Sequence, residues 1–125
     1  MTNKALNTLS KQERLCGRSA ISELLAGAEF IGIDNIKYCC AKNEEGINRI
    51  MISVPKKLFK KAVIRNLLKR RMRESYRKQK ETLKFDGIDI LFVYKSKAIL
   101  SYEEIYSNVK KVLEHINQEN DKEEK

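Results

Sequence analysis

Residues 47–94 read INRIMISVPKKLFKKAVIRNLLKRRMRESYRKQKETLKFDGIDILFVY, and the fold turns on this stretch. Its opening, Ile47 to Val54, is short and β-rich, and Pro55 closes it, because a proline deep in a strand would delete a ladder hydrogen bond. Its end, Ile88 to Tyr94, is an apolar run interrupted only by Asp89 and introduced by the turn signal Asp86-Gly87, the pattern of a buried strand. Between them, roughly Lys60 to Glu81, hydrophobic spacing follows a helix, after a lead-in loop Lys56-Lys57-Leu58-Phe59. The stretch is therefore a strand, helix, strand unit.

Its helix carries the electrostatics of the chain. From Lys56 to Lys80, twelve Lys or Arg residues stand against one acid, Glu74, giving +11 in 25 residues. The whole chain is +9 at pH 7, so everything else nets −2, the difference between +9 and +11. On a helix Arg65, Lys69, Arg73 and Arg77 recur every four residues as one stripe, flanked by Asn66, Arg70 and Lys80. Ile64, Leu67, Leu68, Met72 and the small Ser75 fall on the opposite side, as docking on a core requires, with Arg71 toward that side. At 1.5 Å rise per residue the stripe covers about 18 Å, enough to touch several phosphates. Like charges at i, i+4 repel, so the arrangement implies a polyanion, either nucleic acid or an anionic membrane surface. Arginine forks grip phosphate oxygens in pairs, and each neutralised phosphate releases counterions. The apolar face is claimed by the sheet and the chain has no Trp, which argues against the membrane.

Outward from this unit, Ile36 to Ala41 is a further short strand, separated from Ile47 to Val54 by the polar turn Lys42 to Gly46, and the two are expected to form a hairpin. An additional short strand is placed near Phe30 to Ile33. A first helix is expected from about Ser19 to Ala26, with Ile21, Leu24 and Leu25 on one face and Gly27 ending it. Ser101-Tyr-Glu-Glu104 has capping-box spacing and opens a last helix whose inner face is Ile105, Val109, Val112, Leu113 and Ile116, before a polar, frayed tail from Gln118. The expected order is α-β-β-β-α-β-α with about four strands, an α+β sandwich of one domain over residues 1–125, its core about 10–117 and both tails flexible.

No run approaches the ~20 apolar residues of a membrane span, and MTNKALNTLSKQERL lacks the apolar segment of a secretory signal, so a cytoplasmic location is expected. Cys16, Cys39 and Cys40 are odd in number, two of them adjacent with side chains on opposite faces of a strand, and they make a poor disulfide framework. With one histidine, His115, and no C-x-x-C, no metal set is evident. Asp86, Asp89, Glu103 and Glu104 read as structural carboxylates, and His115 as a partly exposed surface residue rather than a base. No side chain is placed as a nucleophile or general base, so the chain reads as a binder whose partner does any chemistry.

Ser53-Val-Pro-Lys-Lys57, Ala62-Val-Ile-Arg-Asn66 and Lys69-Arg70-Arg71-Met72-Arg73 resemble the signature of the bacterial ribonuclease P protein subunit, over roughly Arg14 to Ile116. The resemblance implies a fold with a left-handed β-α-β crossover, and a catalytic RNA that removes the 5′ leader of precursor tRNA with Mg²⁺ held mainly by that RNA. It implies that Lys56, Lys57, Arg65, Asn66, Lys69, Arg70 and Arg73 contact the catalytic RNA, with Lys61 and Arg77 on the same surface. It also implies a cleft between the first helix and a sheet face that holds the precursor's leader, lined here by Arg14, Arg18, Ile21, Leu25, Phe30 and Tyr38, with Cys39 the alternative to Tyr38 because a one-residue slip reverses the face. No protein metal site and no protein partner are implied. Two departures stand out. Leu67 occupies the third place of the R-N-R triplet, with Arg71 as an extra cation that could substitute, and the helix side of the cleft is aliphatic where the family often has aromatics. The competing reading is a stand-alone basic module on ribosomal RNA or duplex nucleic acid. The strand directly before the basic helix argues against a helix-turn-helix.

Overall fold

Every residue of the strand Ile88–Tyr94 is buried, and the rest of the sheet is built around it. The computed structural model describes Glu13, Leu24, Leu25 and residues 29–124, with side chains as far as Glu119. The strands are β1 (Ile31–Ile33), β2 (Ile36–Lys42), β3 (Arg49–Ser53) and β4 (Ile88–Tyr94). The helices are α1 (Ala62–Gln79), prolonged by a 3₁₀ turn at Lys80–Thr82, and α2 (Tyr102–Glu124). Leu24 and Leu25 have helical backbone, and the remainder of the expected first helix lies outside the described residues.

The sheet order is β1-β2-β4-β3. β2 runs antiparallel to β4, with Tyr38 opposite Phe92 and Cys39 opposite Leu91, while β3 runs parallel to β4, with Ile50 opposite Ile90. This corrects the expected hairpin of β2 with β3, because β4 inserts between them. A doubly buried apolar strand stabilises the sheet most at its centre, where both of its edges are bonded and both faces covered. The real hairpin joins β1 to β2 through Asp34-Asn35, with Asp34 at φ 52°, a left-handed position that Asp tolerates.

Ile36, Tyr38, Ile50, Ile88, Ile90, Phe92 and Tyr94 point to one face and pack with α1 and α2. α1 buries Leu68, Met72, Ser75, Tyr76 and Gln79, spaced as one helical face, and α2 buries Ile105, Val109, Val112, Leu113 and Ile116 as its sequence predicts. Each fully buried large apolar side chain contributes about 1.5–3 kcal/mol. On the opposite face Cys39, Leu91 and Val93 form a smaller cluster with Leu24, and Met51 packs against it.

Polar ties fix the layers. The N–H of Glu104 donates to Ser101 Oγ at 3.2 Å, the capping contact read from the sequence. α2 continues to Glu124, through the stretch read as a polar tail. Gly87 takes φ 84°, which accounts for glycine at the turn into β4. Arg71 donates to the carbonyl of Leu100 at 2.5 Å and Gln79 to that of Tyr106 at 3.1 Å, bolting α1 to the start of α2.

Candidate nucleic-acid interface

α1 has good helix formers throughout, yet no acid in its first turn and no side-chain cap. Its entry is fixed instead by Arg65, whose Nη1 donates to the carbonyls of Phe59 and Lys60, both at 2.8 Å. Basic Arg77 and Lys78 in its last turn suit the negative helix end. With Leu68 and Met72 buried, the exposed side chains of α1 are Ala62, Val63, Asn66, Arg70, Arg73 and Lys78, with half-buried Arg65, Lys69 and Arg77 beside them. The most exposed polar line thus runs Asn66, Arg70, Arg73, through the flank of the stripe read in the sequence and sharing Arg73 with it.

The cations of this surface differ in what they already hold. Arg77 forms a forked pair with Glu74, Nη2 to Oε2 at 2.7 Å and Nε to Oε1 at 3.1 Å. This hydrogen bond holds the Glu74 carboxyl below the usual carboxylate range and raises the guanidinium pKa in turn. Lys80 pairs with Glu13 at 2.9 Å. Lys56, Lys57, Lys60, Lys61, Lys69, Arg70 and Arg73 have no ion-pair partner among the described residues. Their charges face solvent unneutralised, as a surface for phosphates requires. Lys60, missing from the expected contacts, belongs with them by exposure and place. Arg71 does not stand in for the cation missing at Leu67, because its guanidinium is turned to the Leu100 carbonyl.

The second expected surface is the sheet face that Leu24 covers. Arg14, Arg18 and Ile21 lie outside the described residues. Leu24 is buried against Cys39, Leu91 and Val93, and Leu25 is exposed. Tyr38 is 1% exposed and lies on the other face, in the core beneath α2, where its hydroxyl bonds His115 Nδ1. Tyr38 therefore does not line that face; its neighbour Cys39 points there instead, buried beneath Leu24, because a one-residue alternation reverses the face. Burial holds the Tyr38 hydroxyl protonated well above its ordinary range and pushes the Cys39 thiol up to about 11. Phe30 is 42% exposed, with Lys37 Nζ 5.0 Å from its ring centroid.

At the far end of this face a cavity of about 400 Å³ opens between Leu24 and the Asn43–Glu45 turn. Its floor is Asp89, which takes a forked pair from Arg49 at 2.7 and 2.8 Å and a hydrogen bond from Asn43 Nδ2 at 2.7 Å. Asp89 is thus structural, as its place in an apolar strand suggests, and the one acid in that run was the signal that a cation must meet it. Among the described residues, no three His, Cys, Asp or Glu side chains gather where a metal ion could sit, and no helix is long and apolar enough to cross a membrane.

An unpaired basic ridge on the crossover helix of a four-stranded mixed sheet is matched by known proteins. Residues 9–117 match the family model described as Ribonuclease P. The chain belongs to the ribonuclease P protein family. It is 35% identical over 101 residues to the ribonuclease P protein component of Borrelia hermsii, covering 80% of this chain and 88% of that one. It is 30% identical over 134 residues to the same component of Chlorobaculum tepidum, covering 93% and 87%. The fold is that of the Staphylococcus aureus RNase P protein, with a TM-score of 0.72 at 24% identity over 83% of this chain and 94% of that one. The RNase P protein of Thermotoga maritima superposes equally, with a TM-score of 0.72 at 24% identity over 82% and 96%. As a ribonuclease P protein component, the chain is a protein subunit of a tRNA-processing ribonucleoprotein nuclease.

Proposed function

We propose that this subunit binds the catalytic RNA of ribonuclease P through Lys56, Lys57, Lys60, Lys61, Asn66, Lys69, Arg70 and Arg73. Arg65 and Arg77 flank that surface. The observation that carries the reading is the set of unneutralised cations along the outer side of α1 and its lead-in. The face bearing Phe30, Lys37 and Cys39 receives the single-stranded 5′ leader of precursor tRNA, working in the cytoplasm. Bond cleavage then belongs to the RNA, with Mg²⁺ held among its phosphates. Asp89 and Glu74 are each engaged by an arginine. The protein's part is to bind, to orient the leader, and to lower phosphate repulsion around the RNA's metal ions.

The test is 5′-end processing of a labelled precursor tRNA by a transcribed ribonuclease P RNA at low Mg²⁺, with and without this protein. Cleavage at the mature end that needs both components is expected. No stimulation by protein that demonstrably binds the RNA would leave only a basic RNA-binding domain. Replacing Arg65 and Arg73 together by Ala should weaken binding to the catalytic RNA and flatten its salt dependence. Unchanged affinity and slope would remove α1 as the interface.

A further inference from the structure

Where α1 gives way to the 3₁₀ turn, a cavity of about 360 Å³ opens between these residues and the approach to β4. Its charged lining is Glu13, Lys80, Glu81 and Asp86, three acids against one lysine, so it is formally −2 in a chain of +9. Lys80 already holds Glu13, its Nζ lying 3.0 and 2.9 Å from the two carboxylate oxygens. Glu81 and Asp86 are exposed, and their carboxylates form no ion pair or hydrogen bond among the described residues. The C-terminal pole of α1, negative by its backbone dipoles, adds to the same potential.

A second observation comes from the core. Tyr76 is 1% exposed, its ring 6.0 Å from that of Phe92 between centroids, yet it also lines this cavity. Its hydroxyl makes no hydrogen bond among the described residues. Burial, with the Glu13 carboxylate nearby, holds that hydroxyl protonated well above its ordinary range, so it meets the cavity as a neutral oxygen with lone pairs to offer. The remaining walls include apolar Ile47, half-buried, and Leu83, buried. They are held in place. Asn48 donates to the carbonyl of Phe85 at 2.7 Å and accepts from the N–H of Ile88 at 3.0 Å. Asn117 of α2 donates to the carbonyl of Thr82 at 2.8 Å and accepts from the N–H of Lys84 at 3.1 Å.

We propose that this cavity binds an aliphatic polyamine, with ammonium groups on Glu81 and Asp86, the methylene chain along Ile47 and Leu83, and the Tyr76 hydroxyl accepting from one ammonium. The lining decides among cations. A divalent metal ion needs several close oxygen ligands, and among the described residues no three His, Cys, Asp or Glu side chains gather to supply them. Two unpaired carboxylates from separate segments, joined by an apolar wall, suit a cation whose charges are spaced along a hydrocarbon chain. Seated there, it cancels the repulsion that these acids exert on phosphates near the end of α1. The site goes beyond the proposed function and does not depend on it.

The test titrates spermidine into the full chain without RNA, at physiological ionic strength, by calorimetry. One saturable site is expected, because elsewhere a +9 chain repels a polycation. Tyr76→Phe keeps the ring and removes only the hydroxyl, and should weaken binding about tenfold, the loss of one hydrogen bond to a charged group. Glu81→Gln with Asp86→Asn, both on the surface, should abolish saturation. Asp34→Asn, in the β1–β2 turn at the opposite end of the sheet, should leave it unchanged. Cooperative melts check each fold, and were Tyr76→Phe to unfold, the surface pair decides alone. No saturable binding, no loss from Tyr76→Phe in a folded chain, an equal loss from Asp34→Asn, or Mg²⁺ displacing spermidine one for one would each overturn the polyamine site. Because RNA is absent, such a failure leaves the RNA-binding reading untouched.

Discussion

Cys39 and Cys40 are neighbours with opposite fates, since one is buried under Leu24 and the other is exposed. The Cys39 thiol, pushed up to about 11 by burial, stays protonated where an ordinary thiol ionises. Its pKa is raised on folding, so the stability linked to it is complete below the unfolded value near 9 and is lost as pH climbs toward 11. Alkylation at pH 8 followed by mass spectrometry should label Cys40 within the time that leaves Cys39 untouched, and denaturant should equalise them. Early labelling of Cys39 would mean that the Leu24 cover opens readily. Asp89 gives the complementary case of a buried charge. Asp89→Asn leaves Arg49 without its forked partner and should cost about 3 kcal/mol in a denaturant melt. The identity of these residues was visible in the sequence, but their sides were not. A one-residue register choice put Tyr38 where Cys39 belongs, and only the pairing with Phe92 and Leu91 decides it.

At the scale of elements, α1 shows why counting cations overstates a grip on RNA. Its spacing correctly separated a buried side, Leu68 to Met72 to Ser75, from a basic one. It could not show that Arg71 is turned to Leu100, that Arg65 holds its own lead-in, or that Glu74 occupies Arg77. Those partners arise from packing between segments, or from rotamers, that no periodicity encodes. Glu74→Gln should release Arg77 and steepen the salt dependence of RNA binding by up to about 0.9, one further phosphate. The thermal midpoint should barely move, because an exposed i, i+3 pair contributes little to stability. Acidification does the same reversibly. The Glu74 carboxyl titrates below its ordinary range, so the pair persists above the unfolded value and is lost as pH falls through the folded one. A slope unchanged by Glu74→Gln would show that Arg77 points away from the RNA.

For the whole molecule, the strand, helix, strand unit and both amphipathic helices were legible because each is written in local spacing. Strand order was not, because β4 reaches its place between β2 and β3 only after the chain has passed through α1. β2 and β3 are short, consecutive and separated by a polar turn, which is how a hairpin also reads. Every long strand in the sheet takes β4 as a partner. A chain truncated after Asp86 should therefore fail to form the sheet, giving a circular dichroism spectrum without a cooperative melt, even though it retains the whole basic helix. A cooperative transition in that fragment would show that β2 and β3 can pair without β4.

Because β4 is hydrogen-bonded along both edges and covered on both faces, its amides have no route to solvent short of global unfolding. In heavy water its N–H groups should be the last to take up deuterium, at the rate set by total stability, while those of the three-residue edge strand β1 exchange early. The centre of the sheet would then remain closed while its margin breathes, so the rim where Lys95 rests on Gly32 can adjust without disturbing the core.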